Sequence, residues 1–327
     1  METIFGKDIE IAKQYLLKGE LVAIPTETVY GLAANALDDS AVIKIFEVKN
    51  RPTFNPLIIH CSSWANAQLY VKNMPVKAIY LAKKFTPGPL TFLLDKQDNI
   101  SDLVTAGSKM VAIRIPKHPL ALALLQSLDF PLAAPSANPF GYISPTTAAH
   151  VMQNLAGKIP YILDGGPAEV GLESTIIGFD ENNRVLIYRS GGISLETIEE
   201  VLKEKVIIVE NQYAKNPVTP GQLKSHYAPA TPLYNGNIIE MLKKWENKRV
   251  ATISFSTQFD EIPAENQFIL SPNLSLSEAA GKLFAALRSI DQLKVDVILA
   301  EVFPEQGLGR AINDRLKRAG ALHENLN

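Results

Sequence analysis

The sequence predicts an α/β protein in two parts, a larger first domain built on a mixed sheet and a smaller α/β domain at the C-terminus. Three observations carry this. Short β-branched runs alternate with helical patterns through the first two-thirds of the chain. Two runs near residue 180 are separated only by turn residues, so that pair of strands is antiparallel and the sheet mixed. From Asn211 to Pro232, four prolines and a loss of apolar periodicity interrupt the pattern.

The first strand is LVAIP at 21–25, followed by a helix in which Val42, Ile45, Phe46 and Lys49 fall at i, i+3, i+4 and i+7. Asp38, Asp39 or Ser40 supplies its N-cap and Pro52 lies just past its end, so the helix delivers Lys49 at its C-terminus. LIIHC at 57–61, VAIRI at 111–115 and YILD at 161–164 are further strands. STIIGFD and RVLIYRSG form the hairpin around Glu181, Asn182 and Asn183. Residues 1–210 are thus read as the first domain, 211–232 as a Pro-rich linker and 233–327 as the second domain. The second contains RVATISF, QFILS, a helix from about 275 to 291, VDVILAEVF and a last helix near 309 to 319.

Composition excludes several classes. With 327 residues, 46% of them hydrophobic and 20% charged, the chain can bury more than one core. Its 32 basic and 34 acidic residues deny it the global basicity by which proteins hold nucleic acid, so any RNA contact would be local or indirect. The single cysteine, Cys61, can form no internal disulfide and belongs to no zinc-type cluster; a small buried hydrophobe is its expected role. The N-terminus mixes charges without an apolar h-region, and no apolar run is long enough to span a bilayer, which leads to the expectation of a cytoplasmic protein.

No Gly-Lys pair (Gly6-Lys7, Gly157-Lys158, Gly281-Lys282) has the upstream glycine and following hydroxyl of a Walker A loop, and no GxGxxG follows the first strand. Instead PTETVYGLAA follows it. Thr26 and Thr28 alternate on an extended segment and could face one pocket, although threonine also favours strands for its own reasons. KNRPTFNP offers Lys49, Arg51 and Asn55; PSANPFGYISP offers Ser136, Asn138 and Ser144; YRSGG offers Arg189. Loops leaving strand ends of an open α/β sheet converge at one edge, where cations can neutralise phosphates and Ser or Asn can bond a base, ribose or phosphoryl oxygen.

PTETVYGLAA, KNRPTFNPLIIH, VAIRIP, PSANPFG and GLESTIIG, in this order, resemble the YrdC-domain family of L-threonylcarbamoyladenylate synthases. Lys49-x-Arg51 and Ser136-x-Asn138 resemble its KxR and SxN signatures. TPGQLKSHYAPATP and GLGRAINDRLKRAG resemble the linker and closing helix of its long two-domain form, so the likeness covers nearly the whole chain. Ala33, Asn50, Thr53 and Phe140 depart from the pattern at positions of local packing. The resemblance implies a twisted mixed open sheet with a concave, positively lined cavity, plus a smaller Rossmann-like C-terminal domain. It implies that threonine, bicarbonate and ATP give threonylcarbamoyl-AMP and pyrophosphate, with magnesium on the triphosphate and no tightly bound protein-ligated metal. The product would pass to the complex that modifies tRNA adenosine.

By position, the resemblance assigns Thr28, His60, Arg114, Ala134 and Ser174 to threonine. It assigns Lys49, Arg51, Asn55, Met110, Ser136, Asn138, Ser144, Arg189 and Tyr227 to ATP, with Lys49 and Arg51 as the catalytic cations and Tyr227 folding back over the nucleotide. These groups suit the chemistry: a guanidinium pairs a carboxylate bidentately, and a carbamate is already anionic, so cations matter more than a protein base. Glu27 is expected to point away from Thr26 and Thr28 because strands alternate faces, and Glu173 to form a surface salt bridge. Two other readings are a non-catalytic RNA-binding module and a carbamoyltransferase of the hydrogenase-maturation type. The first lacks a basic stripe with interleaved aromatics, the second its zinc-finger cysteines.

Overall fold

A computed structural model describes residues 2–209, 218–221 and 223–321. Of the expected linker, 211–232, residues 211–217 and 222 therefore lie outside the described residues, while 218–221 and 223–232 run without helix or strand.

The larger sheet comprises β1 (Ile4–Gly6), β2 (Val22–Ile24), β3 (Gly31–Asn35), β4 (Ile58–His60), β5 (Leu90–Asp95), β6 (Met110–Arg114), β7 (Leu132–Ala133), β8 (Tyr161–Leu163), β9 (Thr175–Phe179), β10 (Val185–Arg189) and β11 (Ile207–Ile208). Their spatial order is β1-β8-β2-β3-β7-β4-β6-β5-β9-β10-β11. Parallel pairs such as β4 with β6 and β5 with β9 mix with antiparallel ones such as β2 with β3 and β9 with β10. The parallel register of β4 and β6 sets His60 directly beside Arg114, and the antiparallel register of β5 sets Thr91 on Arg114's other side. Three polar side chains thus share one end of the sheet.

The helix Asp39–Lys49 follows the expected pattern. Asp38 accepts from the amides of Ser40 and Ala41 at 2.9 and 3.4 Å, satisfying first-turn N–H groups that the helix leaves unpaired. Asn50, at φ 50°, ends it in a left-handed conformation that asparagine tolerates. Ala41, Val42, Ile45 and Phe46 enter the core, which carries Lys49 inward with them.

A second, all-parallel sheet has β12 (Leu233–Asn235), β13 (Val250–Ser254), β14 (Gln267–Ile269) and β15 (Val297–Ala300) in the order β12-β15-β13-β14. The helices Leu276–Asp291 and Gly309–Gly320 pack on it. Its core is not closed on itself: Val29, Ile143 and Leu172 of the larger unit and Tyr227 of the connector share one apolar cluster with Phe284, Leu287 and Ile312. Cys61 is fully buried, as its context suggested. Among the described residues, no helix is long and apolar enough to cross a membrane.

Candidate active site

At the shared sheet end lies a tight cavity lined by Thr28, Arg51, His60, Arg114, Ala134, Ser136, Ser174, Arg189 and Tyr227 together with apolar Val29, Leu57 and Ile58. Its free volume is about 50 Å³, far below the roughly 300–1,000 Å³ of sites that take drug-sized ligands. Pro220, Gly221, His226 and Tyr227 of the connector form part of its wall.

One half is built around Arg114. Its Nη1 donates to Thr28 Oγ1 at 2.8 Å and its Nε to the Gly88 carbonyl at 3.3 Å. Nη2 lies 2.8 Å from Glu27 Oε1, an ion pair whose partners are both about 95% shielded from solvent. This corrects the strand-alternation expectation for Glu27. Residues 27–29 form a bend, not a strand, because Thr26 Oγ1 accepts from the amides of Thr28 and Val29 and donates to the Val29 carbonyl at 2.6 Å. The bend turns Glu27 onto the same guanidinium that holds Thr28. Beside Arg114, burial and then the guanidinium's charge push the His60 imidazole down to about 3, so it is neutral at physiological pH. Thr91 Oγ1 and Ser174 Oγ, 2.7 Å apart, close this side.

The other half gathers cations that, among the described residues, bond to carbonyls and a hydroxyl and form no close ion pair. Arg51 donates to the carbonyls of Asn55 and Pro56 at 3.3 and 2.9 Å. Arg189 donates to the Ser174 carbonyl and hydroxyl at 3.0 and 3.1 Å and to the Pro220 carbonyl at 3.3 Å. Lys49 Nζ is bonded to the carbonyls of Ser136 and Asn138. Burial pushes Arg51 down to about 9 and Lys49 well below the usual lysine range, with their mutual repulsion adding to the effect on Lys49. Buried charge satisfied mainly by carbonyl dipoles favours an anion nearby.

Not every residue assigned from the sequence reaches the cavity wall. Lys49, Asn55, Asn138 and Ser144 lie just behind it. The Asn138 amide nitrogen spans the carbonyls of Pro139 and Tyr142, pinning the loop that carries Ser136, while Asn55 is fully buried with neither side-chain polar atom bonded among the described residues. Met110 starts β6, at the end opposite Arg114, and packs near Tyr188 and Ala112 instead of lining the cavity. The separation is one of distance along the strand: the even spacing keeps Met110 on Arg114's face, but four residues move a side chain some 13 Å.

Glu173 is also corrected. It is buried, accepting from Ser144 Oγ at 2.6 Å and from Arg315 Nε at 2.9 Å. Burial opposes its charge, yet Arg315 and Arg189 hold its carboxyl below the usual carboxylate range. Arg315 itself is 0% exposed and stands 5.3 Å from the centre of the Tyr227 ring. Tyr227 adopts φ 64°, rare for an aromatic residue, and is held against Phe284 and His226 with ring centres 5.4 and 4.1 Å away. Sequence reasoning missed Arg315. Its signal was present, since it falls at i+4 from Ala311 and i+3 from Ile312 and so shares the buried face of the closing helix.

Comparison with known proteins places these features. A family model described as "Telomere recombination" matches residues 14–191, and one described as "Threonylcarbamoyl-AMP synthase, C-terminal domain" matches 193–321. The chain is 44% identical over 325 residues to the threonylcarbamoyl-AMP synthase of Pyrococcus abyssi, covering 95% of this chain and 93% of that protein. It is 42% identical to the Bacillus subtilis threonylcarbamoyl-AMP synthase, with 94% and 91% covered. The crystal structure of P. abyssi Sua5 complexed with L-threonine superposes with a TM-score of 0.90 at 41% identity, over 97% of this chain and 98% of that one.

Proposed function

This chain belongs to the threonylcarbamoyl-AMP synthase family, and from that premise we propose that its cavity joins L-threonine, bicarbonate and ATP into threonylcarbamoyl-AMP and pyrophosphate. The observation that carries the reading is the division of the cavity. A guanidinium with hydroxyls around it, Arg114 with Thr28 and Ser174, adjoins Lys49, Arg51 and Arg189, cations that among the described residues bond to carbonyls and, for Arg189, to the Ser174 hydroxyl.

Threonine's carboxylate pairs with Arg114, and its hydroxyl and amine meet Thr28, neutral His60, Ser174 and the backbone at Ala134. The triphosphate lies toward Arg51, Arg189 and Ser136. Lys49 contributes charge and holds the Ser136–Asn138 loop by its carbonyls. Asn55, Asn138 and Ser144 brace the same half, and Met110 is left with a packing role. The amine and bicarbonate condense to a carbamate with loss of water. A carbamate oxygen then attacks the α-phosphorus, forming the mixed anhydride as the bond to pyrophosphate breaks. No protein base is required for that attack; alignment and charge stabilisation on the phosphoryl oxygens do the catalysis.

Both carboxylates beside the cavity, Glu27 and Glu173, are committed to arginines. Magnesium bound to ATP would offset charge on the triphosphate without drawing on these two carboxylates. The nucleotide needs more room than the cavity offers, so Tyr227 and His226 withdraw to admit it and return as a lid that keeps water from the carbamate and the anhydride. The labile product is then consumed by the complex that modifies tRNA adenosine.

Labelled bicarbonate tests the reading. With magnesium, ATP and threonine, the label is expected in a product containing both adenylate and threonine. AMP formed without label in any adenylate-linked product would overturn the proposal.

A further inference from the structure

We propose that Glu27 is a positioning residue for the amino-acid half of the cavity, aiming the Arg114 guanidinium and fixing the direction in which Thr28 hydrogen-bonds. The inference rests on the reading of that half as the threonine site. Glu27 is 4% exposed and does not line the cavity, whereas Arg114 and Thr28 do. It therefore acts through them. Its carboxylate spans two elements: Oε1 stands 2.8 Å from Arg114 Nη2, and Oε2 accepts the Lys117 amide at 3.0 Å, just beyond the end of β6. Its own carbonyl accepts the Val170 amide at 2.7 Å, which fixes the bend from the third side.

The hydrogens around Arg114 can be assigned one by one. A guanidinium carries five N–H groups. Nε uses its one on the Gly88 carbonyl and Nη1 uses one on Thr28, whereas Nη2 faces Glu27 as an ion pair and makes no hydrogen bond. One N–H on Nη1 and those of Nη2 are left unbonded, so the guanidinium can still take a carboxylate. The hydroxyls follow from the same count. Thr26 Oγ1 has a single proton and places it on the Val29 carbonyl, so the proton between Thr26 and Thr28, whose oxygens are 2.8 Å apart, belongs to Thr28. Thr28 also accepts from Arg114, which leaves it one lone pair and no proton for a ligand. It can meet an N–H or O–H of the substrate but repels a carboxylate oxygen.

The chain Glu27, Arg114, Thr28, Thr26, Val29 thus gives the site a polarity, with carboxylate at Arg114 and donor at Thr28. Removing the charge of Glu27 leaves Arg114 as a buried cation with a free edge, able to turn to other acceptors and release that polarity.

Glu27→Gln keeps the shape and removes the charge; Glu27→Asp keeps the charge on a shorter arm. Pyrophosphate release would be followed at varied threonine and varied ATP, with threonine affinity measured separately by calorimetry. For Glu27→Gln the threonine KM and Kd are expected to rise roughly 10- to 100-fold, as when a buried charge pair loses a partner, while kcat and the ATP KM stay within about threefold. Glu27→Asp should recover part of the loss, and Glu27→Gln should add little in an Arg114→Ala background. An unchanged threonine KM and Kd, equal rises in both KM values, or a full effect persisting without Arg114 would overturn the positioning role. A parent enzyme that binds threonine but releases no pyrophosphate would instead sink the synthase reading, and calorimetry of the parent and Glu27→Gln would still decide the role of Glu27.

Discussion

Arg114→Ala is expected to raise the threonine KM by roughly 30- to 5,000-fold, a loss on the order of 2–5 kcal/mol, with a far smaller effect on the ATP KM. The substrate carboxylate loses its bidentate partner, and Thr28 loses the donor that fixes its direction. A second consequence comes from Glu27. The substitution leaves that carboxylate buried beside no cation, so the protein should also unfold at lower denaturant than its parent. Arg114→Lys separates the two effects. An ammonium can stay near Glu27 and restore much of the stability, but it has no planar fork for a carboxylate and should leave the threonine KM high. Initial velocities at varied threonine and varied ATP, with urea unfolding of each variant, make the measurement. Equal increases in both KM values would move Arg114 to the phosphates.

Arg315→Ala should produce the other large effect, a destabilisation of about 3–5 kcal/mol. Arg315 is completely buried, 2.9 Å from Glu173 and 2.8 Å from Asp314, and it lies against Tyr227. Its loss strands the Glu173 carboxylate in the cavity wall and loosens Ser144, which Glu173 holds at 2.6 Å. Pairing Arg315→Met with Glu173→Gln removes both charges and should recover much of the stability, since what costs free energy is the unpaired charge and not the absence of the pair. Urea midpoints for the single and double variants check this; a loss below about 1 kcal/mol for Arg315→Ala would mean that solvent reaches Glu173 once the arginine is gone.

What was legible in the sequence divides along a physical line. Periodicity and capping placed the Asp39–Lys49 helix, the 175–189 hairpin, and the helices near 275–291 and 309–319 within a residue or two, because each is specified by its own residues. The cavity wall was legible as a convergence of strand-end loops, and His60 beside Arg114 follows from two strands that could each be read alone. What failed was inference about direction. Alternation assigned Glu27 to the far face, but Thr26 bonding its own backbone converts the segment to a bend, a local competition that pattern counting does not see. Glu173 and Arg315 are 142 residues apart, and nothing local to either announces the other.

The central claim is that one cavity activates threonine by joining its carbamate to the adenylate of ATP. Pyrophosphate release from the intact chain with magnesium, measured with each component omitted in turn, tests it most directly. Release is expected only when threonine, bicarbonate and ATP are all present, with a return to background when any one is withheld. Release from ATP alone, or none from the complete mixture, would contradict it.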